Sequence, residues 1–333
     1  MNVTMKDIAR RVGVSVVTVS RALNDKPDID ANTKQRIPDT ARQLNYWPNI
    51  LARRLRAKTT RTIGIVIPDM RDPVFAEILF GCSKTARDRG YQVIVSMLFK
   101  RGYDVDEELE AIQTLIGKRV DGLLLQPEHE DRRYIEALNN CPVPYVLMNR
   151  KPEGLACSFV THDHRKGACC AARHLLQRGR KRLLFLVRFP TTSSVLARIE
   201  GVKRAMAEYG SRAVEAEFEA CGDTLTEAYA KARSILERES RPDAILAWED
   251  IMALGVCRAV LDAGLEIPGD VAVVGYNDIE LAAFNSPPLT TVRQKISEIG
   301  EQAAGVLLDT LEGSTNGAER ILIEPELIVR RTT

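Results

Sequence analysis

Short apolar runs alternate with amphipathic stretches along most of the chain, from Thr62 onward. An apolar strand followed by a helix with one apolar face is typical of parallel sheets that helices cover on both sides. The alternating part is ~270 residues long, which exceeds one such sheet, so we expect two doubly wound lobes with a break near residues 160–163. The apolar runs read TIGIVIP, YQVIVSM, DGLLLQP, PYVLMNR, RLLFLV, DAILAWED and VAVVGYND.

The N-terminal segment TMKDIARRVGVSVVTVSRALN follows a helical period instead, and it predicts two short helices joined by a turn at Gly13. Thr4 is the expected N-cap of a first helix that runs through Arg11, and Ser15 that of a second helix over residues 16–23. The pattern favours a helix-turn-helix, with an ordinary surface helical hairpin as the alternative. The apolar positions expected where the two helices meet are Ile8, Val12, Val14, Val19 and Leu23.

Two further helices are expected before the alternating part begins. Asn32 or Thr33 is expected to cap a third helix that ends at Leu44, and Pro38 inside it removes one backbone hydrogen bond and predicts a kink. Residues 48–58 begin with a proline, keep one apolar face and carry four basic side chains. This pattern predicts a two-turn helix that orders only with DNA or a twin helix as support, and a plain interdomain linker is the alternative.

Charge is distributed unevenly along the chain. Residues 1–60 carry 12 Lys and Arg against 5 Asp and Glu, a net charge of +7, whereas the other 273 residues carry 35 against 40, a net charge of −5. A basic N-terminal part on an acidic body is expected when only one end of a protein contacts nucleic acid. The asymmetry therefore favours a DNA-binding head, although the total charge is only +2.

Other classes of function find little support in the sequence. No run of 18 apolar residues and no signal-peptide pattern occurs, so we expect a cytoplasmic protein. The seven cysteines form no CxxC pair and are expected to be buried thiols rather than metal ligands. The signatures GxGxxG, GxxxxGK[ST] and GxSxG are absent, so we expect neither an enzyme nor a bound cofactor.

Polar residues follow several of the apolar runs. In open parallel sheets, ligands bind beyond the carboxyl ends of the strands. Donors and acceptors gathered there suit a polyhydroxylated ligand, and nearby aromatic rings can stack on a sugar. The polar residues are Asp69, Arg71, Asp72, Gln126, Asn149, Arg150, Arg188, Glu249, Asp250, Asn277 and Asp278, with Phe75 and Trp248 as the rings.

Several motifs occur in one order along essentially the whole chain: MKDIARRVGVSVVTVSRALN, LNYWPNILARRLR, TRTIGIVIPD, DAILAWEDIMALG, VAVVGYND, PPLTTV and ELIVRRTT. Together they resemble the LacI/GalR family of bacterial transcription regulators. The resemblance implies a periplasmic-binding-protein-like (type I) core in which the chain crosses between two lobes three times. It implies a headpiece over residues 1–47, a hinge helix and linker over 48–60, a first lobe over 61–161 plus 292–321 and a second lobe over 162–291 plus 322–333.

The resemblance also implies contacts to a small effector molecule. These positions are Asn149, Arg198, Glu249, Asp250 and Asn277. Arg198 matches the family pattern, whereas Asn149, Glu249 and Asn277 depart from it. Because Arg198 can converge with Arg150 and Arg188, a sugar acid or a sugar phosphate is as plausible an effector as a neutral sugar.

The expected function is that of a homodimeric repressor that binds a pseudo-palindromic operator and responds to a sugar or sugar derivative. Arg21 is expected to pair with a guanine, Val16 and Val17 to contact a thymine methyl, and Leu55 to wedge between base steps. A sugar-binding protein without a regulatory role is the alternative. The chain ends at Thr333 without a leucine heptad, which favours a dimer. The expected DNA-binding residues are Thr4, Ser15, Val16, Val17, Thr18, Ser20, Arg21, Asn24, Thr33, Asn49, Ala52, Arg53, Leu55 and Arg56.

Overall fold

The computed structural model describes residues 3–46, 59–98, 104–188, 192–210, 214–315 and 317–333. The chain divides into two units, residues 1–60 and residues 61–333. The predicted helix over residues 48–58 lies outside the described residues and stays a prediction.

Three helices form the N-terminal unit: α1 (Met5–Val12), α2 (Val16–Leu23) and α3 (Ala31–Gln43). Thr4 and Ser15 are the N-cap residues of α1 and α2, as expected. At Thr4, the Asp7 carboxylate accepts hydrogen bonds from the backbone N and Oγ1 at 2.9 and 2.7 Å. At Ser15, Oγ accepts a hydrogen bond from the Thr18 N–H at 3.0 Å. Gly13 takes a φ of +78° at the turn, a conformation that costs glycine little. The small core consists of Ile8, Ala9, Val12, Val19, Ala22, Ile37 and Ala41.

The start of α3 differs from the expectation. Asp30 is the N-cap, because its carboxylate accepts the backbone N–H groups of Asn32 and Thr33 at 3.0 and 3.1 Å. The prediction that Asn32 or Thr33 caps this helix was wrong, because both already belong to its first turn and an aspartate precedes them. The helix continues through Pro38. A bend there stays a prediction.

The second unit begins with alternating strands and helices, as expected from Thr62 onward. Each strand is short and most are buried on both faces, which is the condition of a parallel sheet covered by helices. The elements are β1 (Thr62–Ile67), α4 (Pro73–Asp88), β2 (Gln92–Met97), α5 (Val105–Gly117), β3 (Gly122–Leu125), α6 (Arg132–Asn139), β4 (Tyr145–Met148) and β5 (Ser158–His162).

A second series of strands follows in the same way and forms its own sheet. Its core combines Leu, Val and Ala side chains of the strands with the inner faces of the helices. The elements are α7 (His164–Gln177), β6 (Arg182–Arg188), α8 (Ser193–Tyr209), β7 (Glu215–Cys221), α9 (Leu225–Leu236), β8 (Ala244–Ala247), α10 (Asp250–Asp262), β9 (Ala272–Asn277), α11 (Glu280–Phe284) and β10 (Thr290–Arg293).

The chain then returns to the first sheet through α12 (Ile296–Leu311) and β11 (Arg320–Ile323), and it ends in the second sheet with β12 (Glu326–Ile328). The first sheet has the order β11-β5-β4-β3-β1-β2 and the second the order β12-β10-β9-β8-β6-β7. All pairs are parallel except β10 with β12. Because β10 pairs with β9 through Arg293 and β11 pairs with β5 through Ile323, the crossings lie about two residues after the expected positions 292 and 321.

Two further features of the described residues bear on the expectations. No helix among them is long and apolar enough to cross a lipid bilayer. All seven cysteines are free; five are buried, and Cys141 and Cys170 are half-buried.

Glycines set the distance between α4 and α12, the helix pair that fastens the returning segment to the first lobe. A Cβ on Gly300 would lie 2.1 Å from the carbonyl oxygen of Ile78, and one on Gly81 would lie 2.2 Å from that of Ser297. The two backbones therefore touch, and no larger residue fits without moving one helix. Gly305, on the same helix, has no atom within 4 Å of its Cβ position.

We expect Gly300→Ala to destabilise the second unit by about 1–3 kcal/mol, because the added methyl group must push α4 and α12 apart. Thermal unfolding at a fixed protein concentration measures this effect. Gly305→Ala is the matched control, and it should be neutral or stabilising by up to ~1 kcal/mol because alanine favours a helix more than glycine does. An unfolding temperature for Gly300→Ala equal to or above that of Gly305→Ala would contradict the backbone contact.

Candidate functional site

The outward face of α2 combines apolar and basic side chains. Val17 is 67% exposed and Val16 is 37% exposed, and Arg21 is also exposed, whereas Val19 and Ala22 turn into the core. Valine side chains and an arginine guanidinium are the kinds of group that contact thymine methyls and guanine edges in a major groove.

Local contacts already use several of the polar groups around this face. The guanidinium of Arg21 forms an ion pair with the carboxylate of Asp28. The Asn24 amide donates to the Ser20 carbonyl at 2.6 Å, and the hydroxyls of Ser15 and Thr18 lie 2.8 Å apart. These bonds hold the side chains at the surface in defined positions. Thr4 caps α1 and Thr33 lies in the first turn of α3, while Asn49, Ala52, Arg53, Leu55 and Arg56 lie outside the described residues.

A cavity of about 180 Å³ lies between the two lobes at the carboxyl ends of the strands. It is lined by the predicted residues Asp69, Arg71, Asp72, Phe75, Arg188 and Glu249. The carboxylate of Asp223, which the sequence did not indicate, contributes as well. The remaining lining residues are Pro68 and Pro73 from the first lobe and Thr224, Leu225 and Ile251 from the second.

Arg198 is buried in the second lobe between two aromatic rings. Its guanidinium carbon lies 3.7 Å from the ring centre of Trp248 and 3.5 Å from that of Tyr276, and it donates to the Trp248 carbonyl at 2.5 Å. Burial lowers the pKa of Arg198 to about 10. Trp248 therefore stacks on a protein cation, and Tyr276 is a residue that the sequence reading missed. The sequence feature that could have indicated Tyr276 is its position just before Asn277, at the end of an apolar run.

Glu128 neutralises two other predicted arginines. Its carboxylate lies 3.2 Å from Arg150 and 2.8 Å from Arg188, and all three side chains are largely shielded from solvent. Arg188 also faces Asp223 at 3.5 Å. Because Glu128 belongs to the first lobe and Arg188 to the second, this ion pair joins the lobes. Glu128 was missed because it lies three residues beyond the end of its strand.

A second contact between the lobes lies two residues further along the same loop. The Glu130 carboxylate accepts hydrogen bonds from the backbone N and the hydroxyl of Ser193 at 2.9 and 2.6 Å. Ser193 begins α8, where a negative charge is stabilised by the exposed N–H groups and the helix dipole. Buried Glu108 supports the loop, since it lies 2.8 Å from His129 and accepts the N–H of Glu128 at 3.3 Å.

Two side-chain amides of the first lobe, neither of which lines the cavity between the lobes, have buried atoms without hydrogen-bond partners among the described residues. Gln126 is fully buried, yet neither atom of its side-chain amide has a hydrogen-bond partner among the described residues; the same holds for Oδ1 of Asn149. Burial lowers the pKa of His162 to about 3 and places that of His164 well below its usual value, so both imidazoles are neutral. Buried polar atoms without partners are costly, and a polar ligand is one way to satisfy them.

Two predicted effector residues serve contacts within the second lobe instead. The Asp250 carboxylate accepts the Ile279 N–H at 2.9 Å and the Thr291 hydroxyl at 2.6 Å, and burial raises its pKa to about 7. Asn277 Oδ1 accepts from Gln294 at 3.0 Å, and Asn277 lines a separate cavity of about 590 Å³. Neither residue lines the cavity that contains Glu249. Adjacent positions 249 and 250 thus face different surroundings.

Comparisons with known proteins agree with this geometry. Residues 4–49 match the profile described as bacterial regulatory proteins, lacI family, and residues 172–333 match a periplasmic binding protein-like domain. The chain is 32% identical to the HTH-type transcriptional repressor PurR of Vibrio atlanticus (strain LGP32), over 99% of this chain and 98% of that protein. It is also 32% identical to the ribose operon repressor of Escherichia coli (strain K12), over 98% of each chain.

Among solved structures, the chain is similar to the lac repressor dimer bound to operator and the anti-inducer ONPF. The TM-score is 0.91 at 26% sequence identity, over 100% of this chain and 99% of that one. The motif order, the three-helix unit, the two parallel-sheet lobes and these full-length similarities agree, and the chain belongs to the LacI family of bacterial regulatory proteins.

Proposed function

We propose that the protein is a homodimeric, cytoplasmic transcriptional repressor that binds a pseudo-palindromic operator and changes its operator affinity when a sugar-class metabolite binds between the lobes. The observation that carries this proposal is the exposed face of α2, where Val16, Val17 and Arg21 stand outward on a packed helix-turn-helix. The basic charge of residues 1–60 supports it. The relatives named above are repressors, and the similar lac repressor structure is a dimer on its operator.

We assign the proposed roles to successive segments of the chain. Residues 1–47 form the DNA-reading headpiece, and residues 48–60 form a hinge helix whose Leu55 enters the minor groove. The rest of the chain forms the two lobes, with the later crossings between them after Arg293 and Ile323. Within the headpiece, Arg21 pairs with a guanine edge, while Thr4, Ser15, Ser20, Asn24 and Thr33 contact phosphates and set the register.

Arg21 must leave Asp28 to reach a base, because the two side chains are paired in the free protein. The exchange of a carboxylate for a guanine keeps the guanidinium hydrogen-bonded in both states. We infer that the Asp28 pair lowers the affinity for bulk DNA, because a paired guanidinium attracts a polyanion less strongly than a free one.

The coupling between the two ligands is proposed to run through lobe closure. Two contacts, Glu128 to Arg188 and Glu130 to Ser193, join the lobes on one side of the cavity. A metabolite that favours one lobe arrangement over the other shifts the population of arrangements, and the paired first lobes carry that change to the hinge helices. Coupling of about 1–3 kcal/mol, or ~5–150-fold in affinity, is usual for such systems.

Selection of bound sequences from random DNA, at a fixed salt concentration, tests the proposed function directly. The expected result is a pair of inverted half-sites bound by a dimer. A monomeric protein without preference for any sequence over bulk DNA would contradict the proposal. A protein that binds a sugar but no operator would be the sugar-binding protein without a regulatory role.

Arg21→Ala should weaken binding to the selected operator by about 1–3 kcal/mol, or ~5–150-fold, and relax the base preference at one position of each half-site. Fluorescence anisotropy with the operator and its single-base variants measures both effects. Arg42→Ala removes the same charge from an exposed position of α3 and is the matched control. Equal losses in both variants, with unchanged base preference, would show that Arg21 provides charge only.

Leu55→Ala should reduce both the bend of the operator and the affinity for it, because a wedge between base steps exchanges unstacking for further protein contacts. Leu55 lies outside the described residues, and its role follows from the resemblance of LNYWPNILARRLR to the family. Circular-permutation gel shifts measure the bend. An unchanged bend with unchanged affinity would exclude the wedge.

Glu130→Ala should open the lobes. The variant removes the acceptor of the Ser193 N–H and the negative charge at the start of α8, and a loss of ~1 kcal/mol there would raise the open population about fivefold. Hydrogen exchange at the first turn of α8 should accelerate, and small-angle scattering should show a larger radius of gyration. Glu136→Ala, whose carboxylate pairs only within α6 among the described residues, is the control. Unchanged exchange at α8 would contradict the proposed contact.

A further inference from the structure

The cavity between the lobes contains more carboxylates than cations to balance them. Asp69 pairs with Arg71 at 2.7 Å, and Asp223 faces Arg188 at 3.5 Å. Neither Asp72 nor Glu249 has a Lys or Arg within 4 Å among the described residues. Two carboxyl groups thus line the same cavity without a direct ion pair to a Lys or Arg among the described residues.

The arginines that would attract an anion are already engaged. Arg150 and Arg188 share the carboxylate of Glu128, and the guanidinium of Arg198 lies between two aromatic rings. A phosphate or a carboxylate in the cavity would have to displace Glu128 and approach Asp72 and Glu249. The sugar acid and the sugar phosphate, which the sequence left open as effectors, are disfavoured by this distribution of charge.

Burial and repulsion from neighbouring carboxylates raise the pKa values of the Asp72 and Glu249 carboxyl groups. Burial raises the pKa of Glu249 to about 8, with Asp72 as the next cause, and burial raises the pKa of Asp72 to about 6. The neighbouring charges are Arg188 and Asp223 for both groups, with Asp69 beside Asp72 and Arg198 beside Glu249. Near neutral pH Glu249 therefore holds a proton that a cation would expel.

We propose that the metabolite is an amine-bearing polyol, such as an amino sugar, whose ammonium group lies between the carboxylates of Asp72 and Glu249. This inference rests on the proposed function for the identity of the site. Phe75 lines the same cavity, and an aromatic ring is a favourable neighbour for a cation.

Three small probes that differ only at the central carbon test whether the cavity prefers a cationic, a neutral or an anionic ligand. Serinol carries an ammonium group there, glycerol a hydroxyl group and glycerol 2-phosphate an anion. At pH 7, ligand-detected NMR and calorimetry on the full-length protein should give serinol an affinity about tenfold or more above that of glycerol, with glycerol 2-phosphate weakest. A preference for glycerol or for the phosphate, or no preference for serinol at millimolar concentration, overturns the proposal.

The pH dependence provides a second readout. Because the cation needs both carboxylates ionised and Glu249 releases a proton on binding, serinol affinity should rise between pH 6 and pH 8 by up to about tenfold per pH unit. Calorimetry in buffers of different ionisation enthalpy should detect that proton. A flat profile without proton release contradicts the assignment of the site to Glu249.

Substitutions distinguish the loss of serinol binding at this site from a general loss of folding. Glu249→Gln should abolish both the serinol preference and the pH dependence, and Asp72→Asn should weaken serinol binding while keeping an N-cap residue for α4. Glu237→Gln, at an exposed carboxylate after α9, should change neither. Retained serinol preference in Glu249→Gln, with an unchanged unfolding temperature, would overturn the proposal.

These readouts do not involve DNA, so they fail independently of the proposed function. Matched hexoses, hexosamines and hexose phosphates in an operator-binding assay complete the comparison. A neutral or anionic sugar that changes operator affinity would overturn the amine assignment and leave the repressor proposal intact. Hexosamines that alone change operator affinity, and do so only with Glu249 present, would support both.

Discussion

The buried carboxylate of Glu128, shared between Arg150 and Arg188, is the interaction on which the architecture of the cleft depends. Taking three charged groups out of water costs several kcal/mol per ion, which their attraction offsets only with good geometry. Such a group contributes little net stability. It does define one arrangement of the lobes, because Arg188 finds the same partner only when the first lobe is in place.

That ion pair also determines what remains for a ligand. With Arg150 and Arg188 paired to Glu128, the cavity presents the carboxylates of Asp72 and Glu249 to a ligand. The three arginines leave an anionic sugar as plausible as a neutral one in the sequence, whereas their contacts in the structure favour the cation proposed above. The chemistry of the cleft is thus decided by a residue that contacts no ligand in this account.

Much of the fold is predictable from the sequence, because period and strand alternation are local properties. The cap at Ser15, the buried face of α1 and α2 and the two lobes follow from the pattern alone. The division between Glu249 and Asp250 does not, since both follow one strand and only the packing of α10 turns one inward. Glu128 was equally hidden, because its role depends on two arginines distant in the chain.

Pairing an arginine with a carboxylate in the free state recurs in both ligand-binding regions. Arg21 is held by Asp28 on the outward face of α2, and Arg188 by Glu128 in the cleft. A paired cation attracts bulk polyanions less strongly than a free one, so non-specific affinity falls. A specific ligand can still bind if it offers equivalent acceptors in the same geometry. The two pairs differ in exposure: Arg21 and Asp28 are open to solvent and exchange partners readily, whereas the Glu128 group is buried and joins the two lobes, so it breaks only when the lobe arrangement changes.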